Sequence, residues 1–203
     1  MARFHGPMTK VCRRLGFLAS RKSGVGKAYS RREVLPTTGG RRRRPSEYGV
    51  RLIEKQKLRY YYGITEKQLH RAYRDANRMP GNTGHNLLIF LERRLDNAVC
   101  NMRFGVTMAD ARQLVAHGHV TVNGRRVDIP SFRVSENDVI GVQEKKSSLA
   151  RAQNALATVG DSEVPDWIAV DEKAFTGRVL RLPTREDVRC PVEEQKVIEF
   201  YSR

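Results

Sequence analysis

Gly24-Val25-Gly26-Lys27 is the stretch that most resembles a nucleotide-handling motif. A phosphate-binding loop also needs glycine at position 21 and Ser or Thr at position 28, so that backbone amides cradle phosphate and a hydroxyl holds the metal. Arg21 and Ala28 stand there instead, and no apolar strand precedes them. The histidines are His5, His70, His85, His117 and His119, and none forms an H-x-x-x-H or H-E-x-x-H pattern. His117 and His119 flank Gly118 at a predicted helix end, where a cation suits the exposed carbonyls. Helix capping and RNA contact are the main readings of that pair, with a metal pair the weaker third. Glu186-Asp187 and Glu193-Glu194 are adjacent pairs, and adjacent side chains point apart rather than converge as a catalytic dyad. No nucleophile has a base at recognisable spacing. Cys12, Cys100 and Cys190 are scattered and odd in number, which argues against a disulfide framework and for a reducing compartment. No two of them have C-x-x-C spacing. These residues predict no catalysis, no metal, no cofactor and no small-molecule substrate.

The cations carry the positive signal. The 203 residues have a net charge of +16 and are 39% hydrophobic, enough for a real core. Residues 1–60 hold 17 Lys or Arg against 3 Asp or Glu, while residues 142–203 hold 10 against 11. An excess this concentrated calls for a polyanion. Arg predominates in the first sixty residues, and its planar fork suits phosphate. No apolar run is long enough for a membrane span. Leu15–Ser20 is too short for a secretory signal, and glycines and prolines interrupt any amphipathic transit peptide. A cytoplasmic, nucleic-acid-binding protein is the expectation.

The elements that must position these cations are legible in part. Residues 1–45 read as a basic extension with short helical pieces, holding Arg3, Lys10, Arg13, Arg14 and Arg41, Arg42, Arg43, Arg44. Ser46 is an N-cap for a helix ending near Gly63, and it carries Lys55, Lys57 and Arg59 beside Tyr60–Tyr62. At least one of these successive tyrosines must be core. Thr65 with Gln68 forms a capping box for a helix ended by Pro80-Gly81. Leu87, Leu88, Leu91, Leu95 and Val99 form the stripe of one core-facing helix stopped by Gly105. Thr107 opens another, with Asp110 in the capping-box position and Gly118 after its end. Val120 and Val122, then Asn123-Gly124, then Val127 and Ile129 predict a hairpin. Asp138–Val142 predicts a further strand, and Ser147–Thr158 a helix. Trp167 to Val170 reads as a buried segment. Strands are predicted within Phe175–Leu182 and over Val197–Tyr201. The class is α+β, with helices first and a helix-then-hairpin module in the middle. Arg94, Arg103, Arg112, His117, Asn123, Arg125 and Arg126 lie on its helix ends and hairpin, as suits a platform that reads duplex RNA by shape and phosphate. Asp96 is expected to pair with a nearby Arg and orient it.

Those residues also carry a resemblance. Met1-Ala2-Arg3-Phe4, Glu47-Tyr48-Gly49, Glu54-Lys55-Gln56-Lys57-Leu58-Arg59, Gly81-Asn82-Thr83-Gly84 and Arg94-Leu95-Asp96-Asn97 occur in order. Ala111-Arg112-Gln113-Leu114-Val115, Val122-Asn123-Gly124-Arg125 and Glu199-Phe200-Tyr201-Ser202-Arg203 follow. Together they resemble bacterial small-subunit ribosomal protein S-four nearly end to end. The resemblance implies a structural protein of the small subunit that binds a helix junction in the 5′ domain of 16S rRNA and nucleates assembly. It implies ribosomal protein S-five and the region where mRNA enters as neighbours, with a role in translational accuracy. It implies a helical amino-terminal lobe, 46–93, completed by the tail 179–203. A second lobe, 94–178, would hold an RNA-binding module at about 94–158, its helices packed on a small antiparallel sheet. Two features depart from the family. Many members bind zinc through four amino-terminal cysteines, but here Cys12 has no such partners. A basic residue usually precedes the Ala-acidic-Ala-Arg run, but here it is Met108, leaving Arg103 or Arg112 to compensate. RNA-modifying enzymes carry a similar module beside a catalytic domain, and neither flank here has room for one.

Overall fold

A computed structural model describes residues 6–19, 23–31, 46–160 and 163–202. Arg3 and Arg41–Arg44 lie outside these residues. The helices described are α1 (Met8–Leu15), α2 (Ser23–Ser30), α3 (Glu47–Tyr61), α4 (Glu66–Asn77), α5 (Thr83–Glu92), α6 (Leu95–Asn101) and α7 (Met108–Ala116). Strands β1 (Val120–Val122), β2 (Arg125–Arg126) and β3 (Val139–Val142) follow, then α8 (Lys146–Val159), β4 (Ile168–Asp171), β5 (Thr176–Val179) and α9 (Glu194–Tyr201). The architecture is α+β. The chain divides into two compact units, Met1–Leu87 with Cys190–Arg203, and Leu88–Arg189.

The first unit is helical. Ser46 Oγ accepts a hydrogen bond from the Gly49 amide at 3.2 Å and starts α3. The Thr65–Gln68 capping box starts α4, with both reciprocal bonds made at 3.1 and 3.4 Å. Leu58, Tyr62, Leu69, Ala76 and Val197 are buried. Tyr62 is therefore the core tyrosine of the Tyr60–Tyr62 run. The tail belongs to this unit, where α9 packs along α3 and α4. Val197–Tyr201 was expected as a strand and is helical instead. Its β-branched and aromatic content suggests a strand, yet helical spacing sets Val197 and Tyr201 on one face toward the core.

The second unit packs helices on an antiparallel sheet of order β2-β1-β3-β5-β4. Its core includes Leu95, Phe104, Leu114, Val120, Ile140, Trp167 and Val179. The Asn123-Gly124 turn has φ of +50° and +77°, as a two-residue hairpin requires. The return strand is shorter than expected. After Arg126 one more ladder bond forms, from the Val127 amide to the Val120 carbonyl at 3.1 Å, and Ile129 is exposed. The single helix expected from Thr83 to Gly105 is two, α5 and α6. Arg94 between them is extended, with ψ 138°, and bridges Arg133. The Leu95 and Asp96 amides, freed from the helix, donate to the Phe132 and Pro130 carbonyls at 2.8 and 3.2 Å. An apolar stripe continues across such a break because burial, not helix continuity, selects it.

Candidate nucleic-acid interface

The hairpin end of the second unit presents cations that have no ion pair among the described residues. Arg125 and Arg126 are exposed on β2, the edge strand. The Arg126 guanidinium lies directly over Gly118, where any side chain would collide with it. Gly118 has φ +69° and ends α7, so glycine here serves both the helix stop and the seat for Arg126. His117 is exposed at the same helix end, its ring 6.1 Å from that of His119. His119 Nδ1 sits 2.9 Å from Ser148 Oγ on α8. Burial lowers the His119 pKa, and Arg151, His117, Lys145 and Arg126 lower it further by their positive field. Arg151 is matched by Asp110 at 2.9 Å, while Arg126, Lys145 and the His117 ring are exposed. Asn123 holds the hairpin rather than a ligand. Its amide donates to Asp138 Oδ1 at 2.8 Å, and its oxygen accepts from the Val139 amide at 2.9 Å.

Three arginines expected at this face are turned inward. Arg94, 6% exposed, donates from Nε and Nη2 to the two oxygens of Asp96 at 3.0 and 2.7 Å. Arg112 Nη1 lies 3.7 Å from the same carboxylate, and burial lowers its pKa despite that neighbour. Asp96, 1% exposed, thus orients both arginines, as the sequence suggested, but toward the interior. Arg103 has φ +65°, donates from Nη1 to the Gly160 carbonyl at 2.9 Å and pairs with Glu172. It staples the loop after α6 to two distant segments. Neither Arg103 nor Arg112 is therefore free to replace the basic residue missing at Met108, which packs against the hydrophobic core.

In the first unit Lys55 is buried, 2.9 Å from Glu66 and 4.7 Å above the Phe200 ring. Burial would raise the Glu66 pKa, but hydrogen bonds from Lys55 and Tyr201 outweigh it and hold the carboxyl low. Lys57 pairs with Glu54 at 2.6 Å, and Arg59 covers the Tyr60 ring at 4.5 Å. Both lysines of this helix thus have acidic partners within the chain. On α1, Lys10 and Arg14 are exposed, while Arg13 donates to the Ala28 carbonyl. Four further cations, absent from those singled out above, are exposed along α4 and at its C-cap: Lys67, Arg71 and Arg74 in the helix and Arg78 at the cap. Their spacing of four, three and four is the helical period, a signal present in the sequence.

Gly24–Lys27 lies inside the first turns of α2 rather than in a loop that leads into a helix, so the arrangement of a phosphate-binding loop is not formed. Among the described residues no group of three or more His, Cys, Asp or Glu could hold a metal, and the three cysteines are free and buried. No described helix is long and apolar enough to cross a membrane.

Comparison with known proteins bears on this arrangement. Residues 3–92 match the ribosomal protein S4/S9 N-terminal domain, and residues 93–140 match the S4 domain. The small ribosomal subunit protein uS4 of Shewanella loihica is 50% identical over 206 residues, covering the whole of both chains. That of Desulfitobacterium hafniense is 47% identical over 209 residues, again end to end. The chain belongs to the ribosomal protein S4 family. Within the S4 domain match fall α6, α7, the Asn123-Gly124 hairpin and the start of β3, the segment that displays Arg125, Arg126 and His117. The boundary between the two matches falls at Glu92 and Arg93, where α5 ends and the chain turns extended.

Proposed function

We propose that this chain is a structural constituent of the small ribosomal subunit that binds 16S rRNA directly, in the cytoplasm, and performs no bond chemistry. The observation that carries this reading is the end-to-end likeness to proteins named small ribosomal subunit protein uS4. The hairpin face supplies the physical means. Arg125, Arg126, His117 and Lys145 sit on rigid elements, and a duplex is read by cations held in fixed geometry against phosphates and 2′-hydroxyls. The finer reading places the chain on a helix junction of the 5′ domain, where it nucleates assembly. There it neighbours ribosomal protein S-five and the region where mRNA enters, and contributes to translational accuracy.

Binding to a 5′-domain transcript is expected to be tight and steeply salt-dependent. If about six phosphates are neutralised, log affinity should fall against log salt with a slope near −4 to −5. An equal affinity for an unrelated RNA duplex would overturn the specific reading. Loss of the chain from small subunits in a high-salt wash that retains other proteins would overturn the structural role.

A further inference from the structure

His119 is the titratable side chain of the hairpin end that is turned partly inward. It stands between α7 and β1, two residues beyond His117. Its amide donates to the Leu114 carbonyl at 3.1 Å, and its carbonyl accepts from the Gln143 amide at 2.8 Å. Its Nδ1 is 2.9 Å from Ser148 Oγ, and Ser148 is fully buried on α8. The ring is therefore held at one nitrogen, on a backbone tied to α7 and to the end of β3. The other nitrogen, Nε2, has no partner among the described residues. With Nδ1 turned to a buried hydroxyl, Nε2 lies on the outer edge of a partly exposed ring.

Among the described residues no acid pairs with that ring. The charges that act on it most are Arg151 on α8, His117 at the end of α7, Lys145 at the N-cap of α8 and Arg126 on β2. Each is positive or becomes so on protonation. Asp110 on α7 has both oxygens engaged, Oδ1 with Arg151 at 2.9 Å and Oδ2 with the Val106 amide at 3.1 Å. Glu144 is exposed and is not among the groups that act most on the ring. Burial and the positive field together hold the imidazole below its ordinary value of 6.5, so the ring of the free protein is neutral at pH 7.

A phosphate at this end reverses the balance. Its negative charge opposes the field of Arg126 and Lys145, which favours a proton on the ring. Protonation gives the ring an N–H at both nitrogens. Nδ1 then donates to Ser148 Oγ, while Nε2 donates to a phosphate oxygen in a charge-assisted bond.

We propose that RNA binding at the hairpin end takes up one proton on His119, so that affinity rises as pH falls from 8 to 6. The proton passes from solvent to a ring nitrogen and returns when the RNA leaves. This rests on the RNA-binding reading above and adds a pH dependence to that face. The sign follows from linkage. The gain is complete below the value at which the free ring titrates, and is lost as pH rises through the higher value in the complex. If the complex moves the ring's titration up by about one pH unit, affinity should rise about three- to tenfold between pH 8 and pH 6.

The test is calorimetry of the full-length chain with a 5′-domain 16S transcript at pH 6.5. Buffers of different ionisation enthalpy count the protons taken up, and affinity is read from pH 8 to pH 6. The H119N variant, whose amide can keep the bond to Ser148, should take up fewer protons than the wild type and lose the rise in affinity. H119Q serves in its place if H119N lowers the thermal midpoint. Protons bound by the RNA itself are common to all the chains and cancel in the difference. The H117N variant should keep the wild-type uptake. No uptake by the wild type, or equal uptake by the His119 variant, overturns the proposal. A loss in H117N as large as that in the His119 variant also overturns it, because the proton would then not belong to His119. Equal affinity of the wild type for an unrelated duplex would instead strike the ribosomal reading, and the proton count would still be readable on either RNA.

Discussion

Asp96 receives two hydrogen bonds from Arg94 and one from the Asn97 amide, with Arg112 at 3.7 Å. Replacing it by alanine leaves two buried guanidinium groups without their carboxylate. The expected loss is about 3–5 kcal/mol, read as a lower urea midpoint at constant m. A loss below about 1 kcal/mol would show that water satisfies the arginines. Asp187 is a second carboxylate with a measurable consequence. Hydrogen bonds from Arg181, at 2.6 and 2.8 Å, and from Thr184 overcome partial burial and hold its pKa down at about 2, from 3.8. A depressed carboxyl favours the fold above its unfolded pKa, and that contribution fades as pH falls toward the folded value. Stability of the wild type relative to Asp187→Asn should therefore be constant above about pH 4 and decline from there to about pH 2. A difference that does not change with pH would exclude the ionised pair as its source. At this scale the sequence misleads in a definite way. Arg94 looks like a surface cation because residues two apart do not meet on a helix, and it meets Asp96 here only because Arg94 is extended. Arg112 stands 16 residues from Asp96, a contact that only the packing of α7 on α6 creates.

Caps and turns were legible because their chemistry is local. Ser46, Thr65 with Gln68, Thr107 and Asn123-Gly124 each satisfy or bend the backbone within a few residues, and each does so as read. Asp110 departs in detail: it accepts from the Val106 amide, one residue before the N-cap. Element identity was harder where packing decides it, as in α9 and at the break between α5 and α6. Gly105 shows how close that packing is. A Cβ there would lie 2.7 Å from the Cα of Ala111, against the backbone of α7. Gly105→Ala should therefore push α7 from its seat on α6 and cost about 1–3 kcal/mol. An unchanged thermal midpoint would mean that the loop shifts freely.

Across the whole molecule the tail completes the first unit. Val197 is buried, Glu199 pairs with Arg51, Phe200 lies beneath the Lys55 ammonium, and Tyr201 donates to Glu66. Burial, then that bond to Glu66, pushes the Tyr201 phenol upward, so it stays a donor at all ordinary pH. Deleting residues 190–203 should accelerate amide exchange in α3 and α4 while leaving β1, β3 and β5 protected, since those strands lie in the other unit. Equal protection of α3 with and without the tail would show that the helices stand without α9.

The sequence by itself determined the class of partner, the α+β class, the main caps and the hairpin. Charge excess acts at long range and needs no fold to be recognised, and caps and turns are satisfied by near neighbours. The ordered run of family motifs was equally legible, since it depends on residue identity alone. Only the tertiary structure decided which cations are available. Lys55, Arg94, Arg103 and Arg112 are drawn into internal pairs by carboxylates that the fold brings beside them, two of them from 11 and 69 residues away. Arg125 and Arg126 remain exposed with no ion pair among the described residues, and a charge is worth most to a partner where the protein has not already neutralised it.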